Sequence, residues 1–421
     1  MPGVESPLLL DSVTWDGGIE LIRQSPPVGA ASFSITFLAP AGWGQEPAAQ
    51  GGRSRLLSAL LTSGAGTWNR AELARRLDAL GATLHSDVSP ENLSVTLWGP
   101  EAHRDRLIPL LTESILRPRF EPLELARVRR ELTERQMREL RQPASRAEKE
   151  LFHRIFSRGH PLRETGFGSP ASLARVDRAA LRRELATRVH SRGSRFIATT
   201  RLSAEEVSRR LSRALGDVLE ADLPPPPEIP PRTRGSETPQ RVELPGNSQS
   251  EIRLGGPSLV RSDPEYPAAY LANEVLGGRS LLSRLFQRIR ERRGLAYHTG
   301  SELASGLWDG CWVVEAGTAP AQSGRVLSLL HQEIRQLGKG TLGRAELHRI
   351  RESALGSIEL ELEDTASAHG LAVEVAESAL PLQHWTEWPA QLRAVSPAAV
   401  SSASLRALDL EFASSVIAGP K

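Results

Sequence analysis

The residues able to do chemistry are few in this chain. Its ten histidines include no pair three or four apart, so no helical face offers two imidazoles to a metal. His153 and His160 come nearest, seven apart, with no acidic residue set between them. All ten read as surface or packing residues. Cys311 is the single cysteine, which excludes a disulfide framework and a thiolate metal cluster. No G-x-x-x-x-G-K-[ST] phosphate cradle occurs. What stands out is 276–300, LGGRSLLSRLFQRIRERRGLAYHTG, with Arg290 and Tyr297 seven apart. A guanidinium can hold a carbonyl or carboxylate, and a phenol can donate to a developing oxyanion. Ordinary roles compete. An arginine near a helix C-terminus meets the helix dipole, and a tyrosine opening a strand often only packs.

The elements that position this pair are legible in the spacing. Leu282, Leu285, Phe286 and Ile289 recur at i, i+3, i+4 and i+7, which predicts a helix over 281–293. Gly294 suits its left-handed stop, and a strand should begin at Leu295. Gly277 and Gly278 read as a plain loop into the helix. Arg284, Arg288, Arg292 and Arg293 read as a solvated basic face. Before this stretch, strands are expected at 19–22, 31–38, 83–98, 195–200 and 249–254. Helices are expected at 53–61, 69–80, 101–115, 122–140, 148–156, 172–189, 204–219 and 267–275. Afterwards come a strand at 307–316, helices at 321–337, 344–362 and 366–379, and a last strand at 415–417. Strands mixed with segregated helices give an α+β fold, each domain a mixed or antiparallel sheet with helices packed on one face.

The length of 421 residues exceeds what one core usually fills, so two domains are expected. Six prolines between Pro224 and Pro231 mark 222–240 as a semi-rigid linker. The domains then span 1–221 and 241–421. GGRS occurs at 51–54 and 277–280, and ELARVR at 124–129 echoes ELHRIR at 346–351. Two matches in one order on either side of the linker imply a tandem duplication. The only lysines are Lys149, Lys339 and Lys421, so the positive charge is nearly all arginine. Acidic residues almost balance it, 50 against 52, and aromatics are only 5%, which argues against a nucleic-acid or other acidic-polymer binder. No apolar run is long enough to span a membrane. No signal or transit peptide is evident, so a soluble, cytoplasmic protein is expected.

The duplicated halves, the order of elements and RLFQRIRERRGLAY at 284–297 resemble the insulinase/pitrilysin superfamily of zinc peptidases. The nearest branch is that of the mitochondrial processing peptidase and its bacterial two-chain relatives. Active members carry H-x-x-E-H on the first helix, where two histidines bind zinc and the glutamate is the base. The matching positions here are Arg55-Leu56-Leu57-Ser58-Ala59. Glu131 is the positional counterpart of the third ligand. The resemblance therefore implies no zinc and no other cofactor on this chain, with zinc on a homologous H-x-x-E-H partner in a heterodimer. It implies that Arg290 and Tyr297 act in trans on a peptide in that partner's site. The alternative is a structural subunit with no catalytic contribution.

Overall fold

The computed structural model describes residues 9–15, 19–215, 221–222 and 225–420. Before the proline-rich stretch lie helices α1 (Arg53–Leu61), α2 (Pro122–Glu139) and α3 (Pro143–Ile155); after it lie α4 (Arg344–Glu363) and α5 (Thr365–Glu377). The chain forms two compact units. The first takes the residues up to Gln136, Thr165–Pro227 and Leu360–Thr386. The second takes Met137–Glu164, Glu228–Glu359 and Glu387 onward. The division expected at 222–240 gives continuous halves, whereas these units trade a helix: α3 belongs to the second and α5 to the first.

The first unit is built on a mixed sheet of β1 (Leu10–Trp15), β2 (Ile19–Gln24), β3 (Ser32–Ala39), β4 (Thr83–Val88), β5 (Leu93–Pro100) and β6 (Arg195–Thr199). Their order is β1-β2-β6-β3-β5-β4, and only β2 and β6 pair parallel. Alternation in β3 sends Phe33, Ile35 and Phe37 to one face and Ser34, Thr36 and Leu38 to the other. The first face carries the main core, closed by Leu56, Leu57, Leu60 and Leu61 of α1 with the helices Arg104–Leu116 and Ala204–Leu215. The second face is smaller: Ile22, Leu38 and Ile197 meet Ala372 and Ala376 of α5.

The second unit holds β7 (Ser236–Glu243), β8 (Ser250–Ser258), β9 (His298–Ser305), β10 (Gly310–Thr318) and β11 (Ser414–Gly419), ordered β9-β10-β8-β11-β7. Here Ala147, Leu151 and Ile155 of α3 pack on Cys311, Val416 and Ala418. The expected α+β arrangement of two tandem domains is present, and each sheet gains one further helix on its other face. The linker is shorter than 222–240, because its last residues enter β7. That strand pairs only with β11, in parallel, so Pro239 sits at an edge where a missing N–H is tolerated.

The duplication is visible in the element order. ELARVR begins two residues into α2, and ELHRIR begins two residues into α4; both helix starts differ by 222 (344 − 122). Helices α3 and α5 differ by the same 222 (365 − 143). GGRS does not follow this frame. The first copy leads into α1, whereas the second follows the helix Tyr266–Leu276, the element that corresponds to α1 in order. Its letters match by chance.

Local signals also set the helices of the first unit. The helix Arg70–Asp78 starts from a reciprocal cap, in which Asn69 accepts from the Glu72 N–H at 3.0 Å and the Glu72 carboxylate accepts from the Asn69 N–H at 2.8 Å. Asn69→Ala should lower stability by about 1 kcal/mol, read as a lower denaturant midpoint at an unchanged slope.

Candidate functional site

The stretch holding Arg290 and Tyr297 starts where the helix Tyr266–Leu276 ends. Gly277 and Gly278 both donate to the Asn273 carbonyl at 2.9 Å. They are more than a plain loop. A Cβ at Gly277 would lie 2.7 Å from Leu285 and 2.8 Å from the Ser301 nitrogen, so only glycine lets the stretch close onto β9. The helical path begins at Arg284 and widens into a π-helix over Phe286–Glu291. Its signature is the Arg292 N–H bonding to the Gln287 carbonyl, five residues back, at 3.2 Å. Leu285 and Ile289 are fully buried and Phe286 partly so, but Leu282 is left exposed ahead of the helix. Gly294 takes φ +60, the left-handed stop its position suggested. The strand then begins at His298, three residues later than expected, because the turn uses Leu295–Tyr297.

The basic face divides in two. Arg284 is 2% exposed and forks onto Glu346 at 2.7 and 2.9 Å, and Arg288 pairs with buried Glu333 at 2.6 Å. These two are structural ion pairs, not solvated charges. The Arg284 and Arg288 guanidiniums hold the Glu346 carboxyl below its usual range, against a burial effect that pushes it up. Arg292 and Arg293 are exposed, as expected.

Arg290 and Tyr297 are also exposed, on the rim of this junction. The Arg290 guanidinium lies 5.0 Å from the Phe286 ring centroid, within cation–π range. Tyr297 is 56% exposed, while its own N–H is tied to the Gly317 carbonyl at 2.8 Å. One residue earlier Ala296 is buried, and the Leu295 carbonyl accepts from the Thr318 hydroxyl at 2.6 Å. These bonds pin the backbone leading into Tyr297, whose ring is open to solvent. Among the described residues, no hydrogen bond joins Arg290 to Tyr297.

In the first unit, α1 carries the positions where zinc ligands would stand. Arg55 lies over two rings, 4.6 Å from the Trp43 centroid and 4.1 Å from that of Phe167, and donates to the Thr165 carbonyl at 3.2 Å. A guanidinium has no lone pair for a metal, Ala59 has no donor, and Ser58 offers only a neutral hydroxyl. These residues do not fit a zinc ion. Glu131 is largely exposed and pairs with Arg127 at 2.6 Å. Among the described residues, no group of three or more His, Cys, Asp or Glu is placed to hold a metal. The start of α1 is instead closed by Glu46, whose carboxylate accepts from the Gly52 N–H at 2.7 Å and from the Ser54 N–H. Burial pushes the Glu46 carboxyl up despite these bonds.

Three histidines take partners that no sequence pattern pointed to. His160 packs on Phe156 and bonds Asp309 at 3.1 Å, beyond the end of α3. His298 follows Tyr297 and meets Glu251 at 3.3 Å. His369 is buried in α5 between Thr36 and Thr199, at 2.8 Å from each. Burial raises the Cys311 thiol to about 12, so it is no nucleophile at neutral pH.

Comparison with known proteins places this geometry. Residues 22–168 match the profile described as Insulinase (Peptidase family M16), and residues 175–354 match the one described as Peptidase M16 inactive domain. A Streptomyces coelicolor protein named as an uncharacterized zinc protease is 40% identical over 130 residues, which span 30% of this chain and 28% of that relative. A Mycobacterium leprae protein of the same description is 24% identical over 360 residues, 84% of this chain and 79% of the relative. The crystal structure of a peptidase M16 inactive domain from Pseudomonas fluorescens superposes with a TM-score of 0.90 at 21% identity, covering 98% of each chain. That of a protease from Helicobacter pylori gives 0.89 at 16% identity, over 99% of this chain and 100% of the other. At such identity these two likenesses concern the fold. With both profiles matched in order along two α+β units, the chain belongs to the insulinase family of peptidases, M16.

Proposed function

We propose that this chain is the non-catalytic subunit of a two-chain zinc peptidase. It presents Arg290 and Tyr297 to the active site of a homologous partner that carries H-x-x-E-H and the zinc. The partner's metal would activate the attacking water. On this chain, the Tyr297 hydroxyl donates to the oxyanion that forms on the peptide carbonyl. The Arg290 guanidinium holds a neighbouring carbonyl or carboxylate of the peptide. The observation that carries this reading is a contrast between the two units. The Arg/Tyr junction is rigid and open to solvent, while α1 has Arg55, Ser58 and Ala59 where ligands and base belong.

The test is reconstitution. The isolated chain should cleave no peptide and should retain no stoichiometric zinc by elemental assay. Mixed with a homologous H-x-x-E-H chain, it should form a stable complex whose cleavage depends on both chains and on zinc. Full cleavage by the partner alone would leave only a scaffold role. Tightly bound zinc on the isolated chain would contradict the reading of residues 55–59.

A further inference from the structure

Tyr297 is followed by a histidine whose side chain reaches across the sheet. His298 of β9, Gly317 of β10 and Glu251 of β8 lie directly opposite one another. The His298 Nε2 stands 3.3 Å from Glu251 Oε2, spanning the strand between them. Gly317 makes that reach possible. A Cβ there would collide with the imidazole and stand 2.8 Å from Glu251 Oε1. The next row on that face holds Gly300 at the edge, Glu315 in the middle strand and Arg253 on β8. Arg253 is buried and bonds Glu251 and Glu315, each at 3.1 Å. The result is a ladder of alternating charge, His298–Glu251–Arg253–Glu315, one strand wide of the Tyr297 junction. At its far end Arg253 and Glu315 face Glu148 of α3, a carboxylate that also feels Glu302 of β9 and Glu139 of α2.

This ladder sits where the backbone N–H of Tyr297 is tied to the sheet. The Tyr297 N–H bonds the carbonyl of Gly317, the residue over which His298 and Glu251 meet. We propose that His298 is a positioning residue for Tyr297: its imidazolium, clasped by Glu251 through the gap at Gly317, fixes the start of β9 and with it the phenol. The clasp depends on the charged imidazole, and loosens when His298 loses its proton. The inference rests on the reading of Tyr297 as a donor to a partner's site, but the coupling itself belongs to this chain alone.

The electrostatics agree with the geometry from both sides. The Glu251 bond raises the His298 imidazole above its usual value, with the Glu251 and Glu315 charges adding, against burial and Arg253. Burial pushes the Glu251 carboxyl up, but His298 and Arg253 outweigh it and hold it down. A group whose pKa is raised by folding contributes below its unfolded value, near 6.5, and loses that contribution as pH rises through the folded value. The clasp is therefore closed at mildly acid pH and opens on the alkaline side.

The chain has only three tyrosines, which makes the test direct. Tyr266 is buried, Tyr270 is half-buried, and Tyr297 is exposed. With ¹³C-labelled tyrosine, the Tyr297 ring signal, assigned by its loss in Tyr297→Phe, should shift in one step above pH 6.5 in the isolated chain. The phenol itself titrates only near pH ~10. The step should vanish in His298→Gln, Glu251→Gln and Gly317→Ala, variants on three different strands, each checked for fold by circular dichroism. In the reconstituted complex, kcat should fall about tenfold across the same pH step with KM little changed, a size consistent with a sub-ångström misplacement. His298→Gln should flatten that profile. A Tyr297 signal that ignores pH, or a step that persists in all three variants, overturns the proposal. A ring step that vanishes as expected, together with cleavage indifferent to Tyr297→Phe, keeps the coupling and removes only the catalytic reading of Tyr297.

Discussion

Tyr297→Phe should lower kcat of the reconstituted complex roughly 100-fold, with KM within about threefold of wild type. Loss of a single oxyanion donor typically has this size, because the bond is made only as charge develops. Phenylalanine keeps the ring and loses the hydroxyl, and the ring is 56% exposed, so packing should hardly change. Arg290→Ala should behave differently. Its guanidinium rests against Phe286 at the rim, so its loss removes binding as well as orientation and should raise KM along with lowering kcat. Both variants should assemble with the partner as wild type does on gel filtration. Cleavage unchanged in both would leave the chain as a scaffold.

Acid should weaken the first unit through one histidine. His369 joins strands far from it in sequence: Thr36 on one ring nitrogen and Thr199 on the other. Thr199 gives its proton to Gln24 Oε1 at 2.9 Å, so it must accept from His369 Nδ1–H. Nε2 is then the acceptor for Thr36, which in turn accepts from Thr96 at 2.8 Å. Every member of this line is used by a neutral imidazole. Burial alone lowers its pKa, from 6.5 to about 4. The unfolded chain therefore binds a proton that the folded one refuses between those values. Stability is full above pH ~6.5 and falls as pH drops toward 4, by roughly 3 kcal/mol from this group alone. The measurement is chemical denaturation at pH 7 and pH 4. His369→Gln, which cannot titrate, should show a smaller loss between the two by about that amount. An equal loss in both chains would mean that His369 takes its proton without opening the line.

How far the sequence reached depends on how local each signal was. The Gly294 stop and the duplicated ELARVR/ELHRIR helix were local, and the fold keeps both. The apolar spacing of Leu285, Phe286 and Ile289 predicted a helix but could not separate α from π, since two of its turns fit either. Leu282 fits the same spacing but is exposed, because the helical path begins only at Arg284. Arg284 and Arg288 look in sequence like Arg292 and Arg293, and only Glu346 and Glu333, which lie more than forty positions on, tell them apart. The tie between His298 and Glu251 needs a three-strand register that no short window contains. For the candidate site, Arg290 and Tyr297 came from a motif, while the groups that hold Tyr297 in place came only from the fold.

The traded helices constrain how this chain can be made. The six strands of the first sheet are all synthesised by residue 199, yet the helix that seals its second face begins at Thr365. A nascent chain must carry that half-covered sheet, with Ile22, Leu38 and Ile197 unsheltered, through the translation of most of the second half. Pairing across more than 300 positions, as between Thr36 and His369, is also slow to find. The N-terminal half expressed alone would stop at that stage, with a sticky apolar face in place of a finished unit. The two halves are thus obligate co-folders, and a chaperone that shields one sheet face during synthesis would matter more to this protein than to one whose domains close in sequence.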